Sequence, residues 1–144
     1  MRDMRLRFLA FLVAAAMLPS LVWCASREMR GAWLSTAWQE KFTRQTDEQN
    51  RKWLSEVLDS LESAGINAVF FQVRPQADAF YRSDIEPPSR WFTTGELNWD
   101  PLEYMVNECH ERGMELHAWL NPYRATTSAK QTLPKGHFLS LIHI

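Results

Sequence analysis

Cysteine is scarce in this sequence, and net charge is almost absent. The 144 residues include two cysteines, Cys24 and Cys109, and carry a formal net charge of −1. These cysteines form neither a disulfide framework nor a metal-type spacing. No cluster of other ligand residues stands out, so we expect no metal site and no cofactor. The near-neutral balance argues against a nucleic-acid binder and a polybasic membrane patch.

Long apolar runs are also lacking, with one short exception near the start. Three arginines precede an apolar run over residues 8–18, which is followed by Pro19. The run is too short for a comfortable transmembrane helix and is typical of an export signal, with an uncleaved anchor as the alternative. We therefore predict a signal peptide over residues 1–24. The protein is then exported, either to the periplasm or as a membrane-anchored lipoprotein.

Cys24 is a candidate lipidation site. Residues 21–24 read Leu-Val-Trp-Cys and resemble a bacterial lipoprotein box, in which Cys24 becomes the lipidated N-terminus. Trp23 stands where such boxes normally carry a small residue, so ordinary cleavage near residues 24–26 is the alternative. Lipidation would attach the protein to the membrane. Cys109, by contrast, lies among apolar residues of a predicted helix and is expected to be a small core residue.

After residue 28 the chain alternates between predicted strands and helices. Strands are predicted over residues 29–36, 66–73 and 115–121. One helix follows a capping box at Thr46 and ends at Gly65, and the second starts at Asp100 and ends at Gly113. This order favours a parallel α/β sheet with right-handed crossovers. The long connection over residues 75–99 is rich in aromatic residues and is predicted to be functional rather than disordered.

Polar residues gather on one strand face and toward the C-terminal strand ends. Alternation along the strands assigns this face the residues Trp33, Phe70, Gln72, Arg74, His117, Trp119 and Asn121. Barrel enzymes build their sites at that rim. We therefore predict that residues 28–138 are the N-terminal part of a (β/α)8 TIM barrel, with about three strands and two helices present. The apolar tail over residues 139–144 predicts a truncation, and a small dimerising domain is the alternative.

Arg74 is the strongest single candidate site residue. A guanidinium fixed at a strand end can hold a carboxylate, either a catalytic one or one on the substrate. The alternative is a structural salt bridge across the barrel mouth. Asp78 follows on the same rim and either pairs with Arg74 or binds substrate. Asn121 can bond a substrate hydroxyl or orient a catalytic acid, or it is a turn residue before Pro122.

Aromatic residues supply the remaining candidates. The chain has seven tryptophans, and such rings either form the walls of sugar-binding clefts or pack the core. Trp33 and Trp119 are the two expected on the inward face. Tyr123 and Arg124 follow the third strand and can reach the cleft. His117 lies deeper in its strand and is expected to be a satisfied core histidine.

In these stretches the chain resembles the glycosyl hydrolase-like family 10 proteins of bacteria. The resemblance includes the sequences RGAWL, GINAVFFQVRP and LHAWLNPYR. In full, it rests on residues 30–34, 65–75, 78–83, 99–102 and 110–124.

This resemblance implies a (β/α)8 barrel in the cell envelope that hydrolyses O-glycosidic bonds of a polysaccharide or a peptidoglycan glycan. It places Arg74, Asp78, Asn121, Tyr123 and Arg124 on the cleft rim, with Trp33 and Trp119 as ring platforms. The catalytic carboxylates are expected outside this chain, which would then be an inactive fragment. The alternative is a barrel that binds glycan without catalysis.

Overall fold

The computed structural model of the chain describes residues 28–37, 41–92 and 97–126, together with residues 128, 130, 133 and 137. The predicted signal peptide over residues 1–24, with Cys24, and the apolar tail over residues 139–144 lie outside the described residues. The described part is an α/β unit.

A three-stranded parallel sheet organises this unit, in the order β1-β2-β3. The strands are β1 (Gly31–Leu34), β2 (Ala68–Arg74) and β3 (Glu115–Leu120). The helices are α1 (Lys41–Arg44), α2 (Asp47–Ser63) and α3 (Pro101–Glu111). The β-α-β-α-β order and the parallel pairing predicted from the sequence are both confirmed.

The two long helices begin at the capping residues that the sequence predicts. At α2, Gln49 N–H donates to Thr46 Oγ1 at 3.2 Å, and Thr46 N–H donates to Gln49 Oε1 at 2.9 Å, which completes a capping box. At α3, Glu103 N–H donates to Asp100 Oδ1 at 3.0 Å, and proline occupies the start of the helix. These bonds satisfy backbone donors that have no partner within the helix.

Both helices also end as predicted, at a glycine in the left-handed conformation. Gly65 has φ +77° and Gly113 has φ +65°. Beyond each glycine the chain turns back: Ile66 N–H donates to Leu61 O at 3.0 Å, and Met114 N–H donates to Cys109 O at 2.9 Å. This is the Schellman geometry, and it directs the chain from each helix into the next strand.

The core lies between the helices and one face of the sheet. Leu54 and Leu58 of α2 and Met105 of α3 are completely buried there. The sheet contributes Val69, Phe71 and Val73, and all these residues belong to one buried cluster. Cys109 is buried in the same cluster, and burial raises the pKa of its thiol to about 11. Its predicted role as a small core residue is confirmed.

A polar network fastens α2 to the C-terminal end of α3. Arg112 Nε donates to Asp59 Oδ1 at 2.9 Å, and its Nη1 donates to Glu108 Oε2 at 2.8 Å. Its Nη2 donates to Ser55 Oγ at 2.8 Å. The Arg112 side chain is only 14% exposed, so this arginine fixes the relative position of the two helices that support the sheet.

The structure corrects the sequence prediction at three places. The first strand is shorter than predicted, because the chain turns away at Ser35 to bond to a buried side chain of β2. A short helix, α1, lies where the sequence predicted no helix, and it buries Phe42 against Phe80 and Phe92. Leu120 of β3 alternates with the inward residues Trp119 and Asn121, so the sequence placed it on the helix-facing side. It is 48% exposed, because it lies on the edge strand of the described sheet.

Candidate functional site

The candidate site lies where β2 and β3 end, on the side of the sheet away from the helices. Because the strands are parallel, their C-terminal ends meet at one edge of the sheet. Asn121 N–H donates to Arg74 O at 2.9 Å, which joins the two strand ends directly. We call the side chains at this edge the rim network, which consists of Arg74, Tyr81, Glu86, Trp119 and Asn121.

Arg74 holds a carboxylate of its own chain. Its Nε donates to Glu86 Oε1 at 2.5 Å, and its Nη2 also pairs with that oxygen. Its Nη1 donates to Asn121 O at 2.7 Å. The two side chains are 14% and 17% exposed, so screening by water is limited. Of the roles predicted for Arg74, this geometry corresponds to a salt bridge across the rim.

Tyr81 completes the arginine–carboxylate pair. Its hydroxyl donates to Glu86 Oε2 at 3.3 Å, so both oxygens of that carboxylate have a partner. Burial of the ring, followed by the adjacent Glu86 carboxylate, raises the pKa of Tyr81, while Arg74 lowers it by less. Tyr81 is therefore a neutral donor at physiological pH. Neither Glu86 nor Tyr81 was among the candidate site residues predicted from the sequence. Their contact with Arg74 depends on how the loop after β2 folds back, which the local sequence pattern does not specify.

The Asn121 side chain connects the ends of β2 and β3 by hydrogen bonds. Its Nδ2 donates to Pro75 O at 3.0 Å, and its Oδ1 accepts from Trp119 Nε1 at 2.9 Å. Both ends of the side-chain amide are thus engaged. Asn121 was predicted to contact a substrate hydroxyl, to orient a catalytic acid or to shape a turn. In the structure it fixes the orientation of the Trp119 indole.

Three rings form a row across the sheet beside the rim network. The strand register places Trp33, Phe70 and His117 next to one another. The Trp33 and Phe70 centroids are 4.6 Å apart, and those of Phe70 and His117 are 4.8 Å apart, both stacked. Trp119 meets Trp33 edge-on at 5.1 Å. Trp33 is 66% exposed, so this row presents a large ring to solvent on the sheet face opposite the helices.

His117 is less enclosed than the sequence suggested. It was expected to be a satisfied core histidine, but its side chain is 39% exposed. Its Nε2 lies 3.2 Å from Glu115 Oε2, and its ring stacks on Phe70. It is therefore partnered but not buried, since the face of the sheet opposite the helices is open in the described part of the chain.

Asp78 lies beneath the rim rather than on it. The residue is 1% exposed. Its Oδ1 accepts from Gln76 N–H at 3.1 Å, and its Oδ2 accepts from Ser89 Oγ at 2.8 Å. The predicted alternative in which Asp78 pairs with Arg74 is therefore wrong, because Glu86 holds that position. Next to it, Ala77 is buried with φ +56°, a conformation that non-glycine residues seldom adopt.

Gln72 was assigned to the inward strand face from the sequence but was not counted among the candidate site residues. It is 1% exposed. Its Oε1 accepts from Thr36 N–H at 3.1 Å, from Ala37 N–H at 3.0 Å and from Ser35 Oγ at 2.8 Å. It thereby holds the chain that leaves β1 against the rim. A buried amide needs such partners, so a lone glutamine in an otherwise apolar strand was the available indication.

The residues that follow β3 are open to solvent. Tyr123 is 99% exposed, and Arg124 is exposed as well.

Further along, His137 is 1% exposed, and its Nε2 lies 3.3 Å from Gln76 O and 3.1 Å from Ala125 O. Because both neighbours are carbonyl oxygens, which only accept hydrogen bonds, His137 Nε2 is the ring nitrogen that carries a proton. His137 therefore ties the segment after β3 to the loop that follows β2, a contact that the sequence did not indicate.

Two properties of the described residues bear on the class of site. No group of three or more His, Cys, Asp or Glu side chains among them is arranged to hold a metal ion. None of the helices in the part of the chain that the structure describes has the length and apolarity to cross a membrane.

Comparison with known proteins places the chain in a family. Residues 28–140 match the family described as glycosyl hydrolase-like 10. The chain belongs to the glycosyl hydrolase-like 10 family. Every stretch that carried the resemblance in the sequence lies within the matched residues, and so do the rim network and the row of rings.

Two curated relatives support this assignment. The chain is 36% identical over 131 residues to glycosyl hydrolase YngK of Bacillus subtilis, covering 83% of this chain and 26% of that protein. It is also 36% identical over 127 residues to glycosyl hydrolase DigH of Escherichia coli K12, covering 78% of this chain and 28% of that protein. The chain thus spans about a quarter of the length of the curated relatives that it matches.

Proposed function

We propose that the protein carrying this chain hydrolyses O-glycosidic bonds in a polysaccharide or a peptidoglycan glycan of the bacterial cell envelope. The observation that carries the proposal is the Trp119 ring, which Asn121 fixes at the polar rim and which meets the Trp33 ring edge-on. A ring whose orientation is fixed at the strand ends suits stacking against the apolar face of a sugar. Membership of the glycosyl hydrolase-like 10 family supports the same substrate class.

In this proposal the described unit is the first part of a (β/α)8 barrel. The helices cover one face of the sheet, and the opposite face carries Trp33, Phe70 and His117. In a closed barrel that second face lines the interior, and the site is built at the C-terminal strand ends. The rim network lies at that position. The relatives are several times longer than the matched region, which leaves room for further βα units.

Hydrolysis requires two carboxyl groups on either side of the scissile bond, one of them protonated. The rim carboxylate of the described residues, Glu86, is paired with Arg74 and Tyr81. Asp78 is buried under the loop. We therefore assign both catalytic carboxylates to strand ends outside this chain. The residues present bind and orient the glycan: Trp33 and Trp119 by ring contact, and Tyr123 and Arg124 from the exposed segment after β3.

A barrel that binds glycan without cleaving it is the second candidate. The observation in its favour is that the carboxylate at the described rim and the one beneath it are engaged by other groups, Glu86 by Arg74 and Asp78 by Ser89. Incubating the intact protein with soluble polysaccharides and peptidoglycan glycan strands separates the two candidates. New reducing ends that increase with time support the hydrolase. Glycan binding without new reducing ends supports the binding protein, and absence of both contradicts the proposal.

We further propose that the protein is exported and that Cys24 is its lipid attachment point. Metabolic labelling with radioactive palmitate tests this directly. Label in the wild type that is lost in Cys24→Ser supports lipidation. Cys109→Ser is the matched control, because Cys109 is buried in the core and is expected to leave the label unchanged. Label that survives in Cys24→Ser contradicts attachment at this residue.

A further inference from the structure

A second polar groove lies outside the rim network, between the N-terminal halves of α2 and α3. It has a volume of about 300 Å³, which is at the small end for pockets that take organic ligands. The side chains on which its chemistry depends are Arg51, Arg82, Asn98, Trp99, Tyr104 and Asn107. The groove adjoins the rim through one segment, since Tyr81 bonds to Glu86 and the next residue lines the groove.

The two arginines of the groove have free hydrogen-bonding groups. Arg82 is exposed, and its backbone N–H, not its guanidinium, donates to Asp100 Oδ2 at 2.9 Å. The Arg51 guanidinium lies 5.3 Å from the centre of the Trp99 ring. Neither guanidinium forms an ion pair with another described residue. Each therefore offers the forked pair of N–H groups that matches a carboxylate.

Two acidic residues line the groove, Asp100 and Glu103. Asp100 accepts backbone N–H groups on both oxygens, from Glu103 at 3.0 Å and from Arg82 at 2.9 Å. Its charge also lies at the N-terminus of α3, where the helix dipole offsets a negative charge. Glu103 is exposed on the surface of α3. The arginine donors thus remain available to an anion from solution.

Trp99 is a buried aromatic residue that lines the groove. Its ring is 6% exposed and meets Tyr104 edge-on at 5.6 Å. Its Nε1 is buried without a hydrogen-bond partner among the described residues, which is uncommon for a buried donor. The ring holds Arg51 in place by a cation–π contact. Arg51 is therefore oriented before a ligand arrives, which lowers the entropic cost of binding.

We propose that this groove binds a monosaccharide that bears a carboxylate, such as a uronic acid. Arg51 and Arg82 take the carboxylate. The amides take the hydroxyls: Asn98 uses Nδ2 for Asp47 Oδ2 at 3.2 Å, and its oxygen is left to accept. Asn107 is exposed on the adjoining turn of α3. This site goes beyond the proposed hydrolysis and does not depend on it, because no residue of the rim network belongs to it.

The test is calorimetric titration of the intact protein with sodium glucuronate and with glucose, at one fixed ionic strength. Saturable binding of glucuronate is expected. The affinity for glucose should be at least about tenfold lower, because glucose lacks the carboxylate that forms charge-assisted hydrogen bonds with the arginines. Arg82→Ala is expected to lose about tenfold or more in affinity. Its fold should persist, since the side chain is exposed and the backbone bond to Asp100 remains. Arg51→Lys keeps the positive charge but lacks the paired N–H groups of the guanidinium, so it should weaken glucuronate binding as well.

Arg90→Ala is the matched control. Arg90 also lies over a tryptophan, 4.9 Å from the centre of the Trp91 ring, but outside the groove. Its replacement should leave glucuronate affinity unchanged. Absence of saturable binding overturns the proposal. Wild-type affinity in Arg82→Ala, or an equal loss in Arg90→Ala, overturns it too, because attraction would then be unspecific. Loss of glucuronate binding in Trp33→Ala would overturn it as well, because the binding would then belong to the row of rings.

Discussion

Replacing Gln72 with leucine tests how the rim is held together. The side chains have similar size, so the change mainly removes an acceptor. Gln72 Oε1 accepts from Thr36 N–H at 3.1 Å and from Ala37 N–H at 3.0 Å. An unsatisfied buried donor costs about 1–3 kcal/mol. The Thr36 N–H is fully buried, so its loss of an acceptor has the full energetic effect. Ala37 is half-buried, and water can partly replace the acceptor of its N–H. We expect Gln72→Leu to lower the free energy of unfolding by about 2–4 kcal/mol.

Urea unfolding followed by tryptophan fluorescence measures this loss in the intact protein. Gln76→Leu is the matched control, because Gln76 is also buried, at 4% exposure, while its side-chain amide makes no hydrogen bond to another described residue. The control should lose less than about 1 kcal/mol, since no buried donor is left without an acceptor. Equal losses in the two variants, or a loss below about 0.5 kcal/mol in Gln72→Leu, would refute the reasoning.

Three further variants probe the helix pair, the core and the tryptophan at the rim. Arg112→Ala should destabilise the protein by about 1–3 kcal/mol in urea unfolding, because its bonds to two helices are lost; Lys52→Ala, at a pair of exposed side chains, should have almost no effect. Cys109, with its pKa raised to about 11, should make the wild type less stable as pH rises from about 9 to 11. Unfolding curves of Cys109→Ala should lack that part of the pH dependence. Asn121→Ala should free the Trp119 indole and weaken glycan binding by about tenfold, measured by titration, and unchanged affinity would remove the positioning role from Asn121.

Much of the backbone architecture could be predicted from local sequence. The capping box at Thr46, the glycines at 65 and 113 and the Asp100 cap each act over a few residues. Apolar spacing then selects the buried helix faces. These features fix where the elements begin and end, and the alternation of elements implies a parallel sheet.

The partners at the site could not be predicted in the same way. Arg74 pairs with Glu86, twelve residues later, and not with Asp78, four residues later. That choice depends on how the loop after β2 folds back, with Ser89 supplying the bond that buries Asp78. The exposure of His117 likewise depends on what covers the open face of the sheet, which the local pattern of one strand does not specify.

The central claim is that the row of rings and the adjoining rim network bind a glycan that the protein cleaves. The most direct test compares kcat/KM for release of reducing ends by the intact wild type with that of Trp33→Ala. Met29→Ala is the control, since Met29 is also an exposed apolar side chain, at 57%, but lies before β1 at the opposite end of the sheet. The account predicts cleavage by the wild type and by Met29→Ala, with a loss of about tenfold or more in Trp33→Ala. Equal cleavage by all three proteins, or no cleavage of any glycan by the wild type, would contradict it.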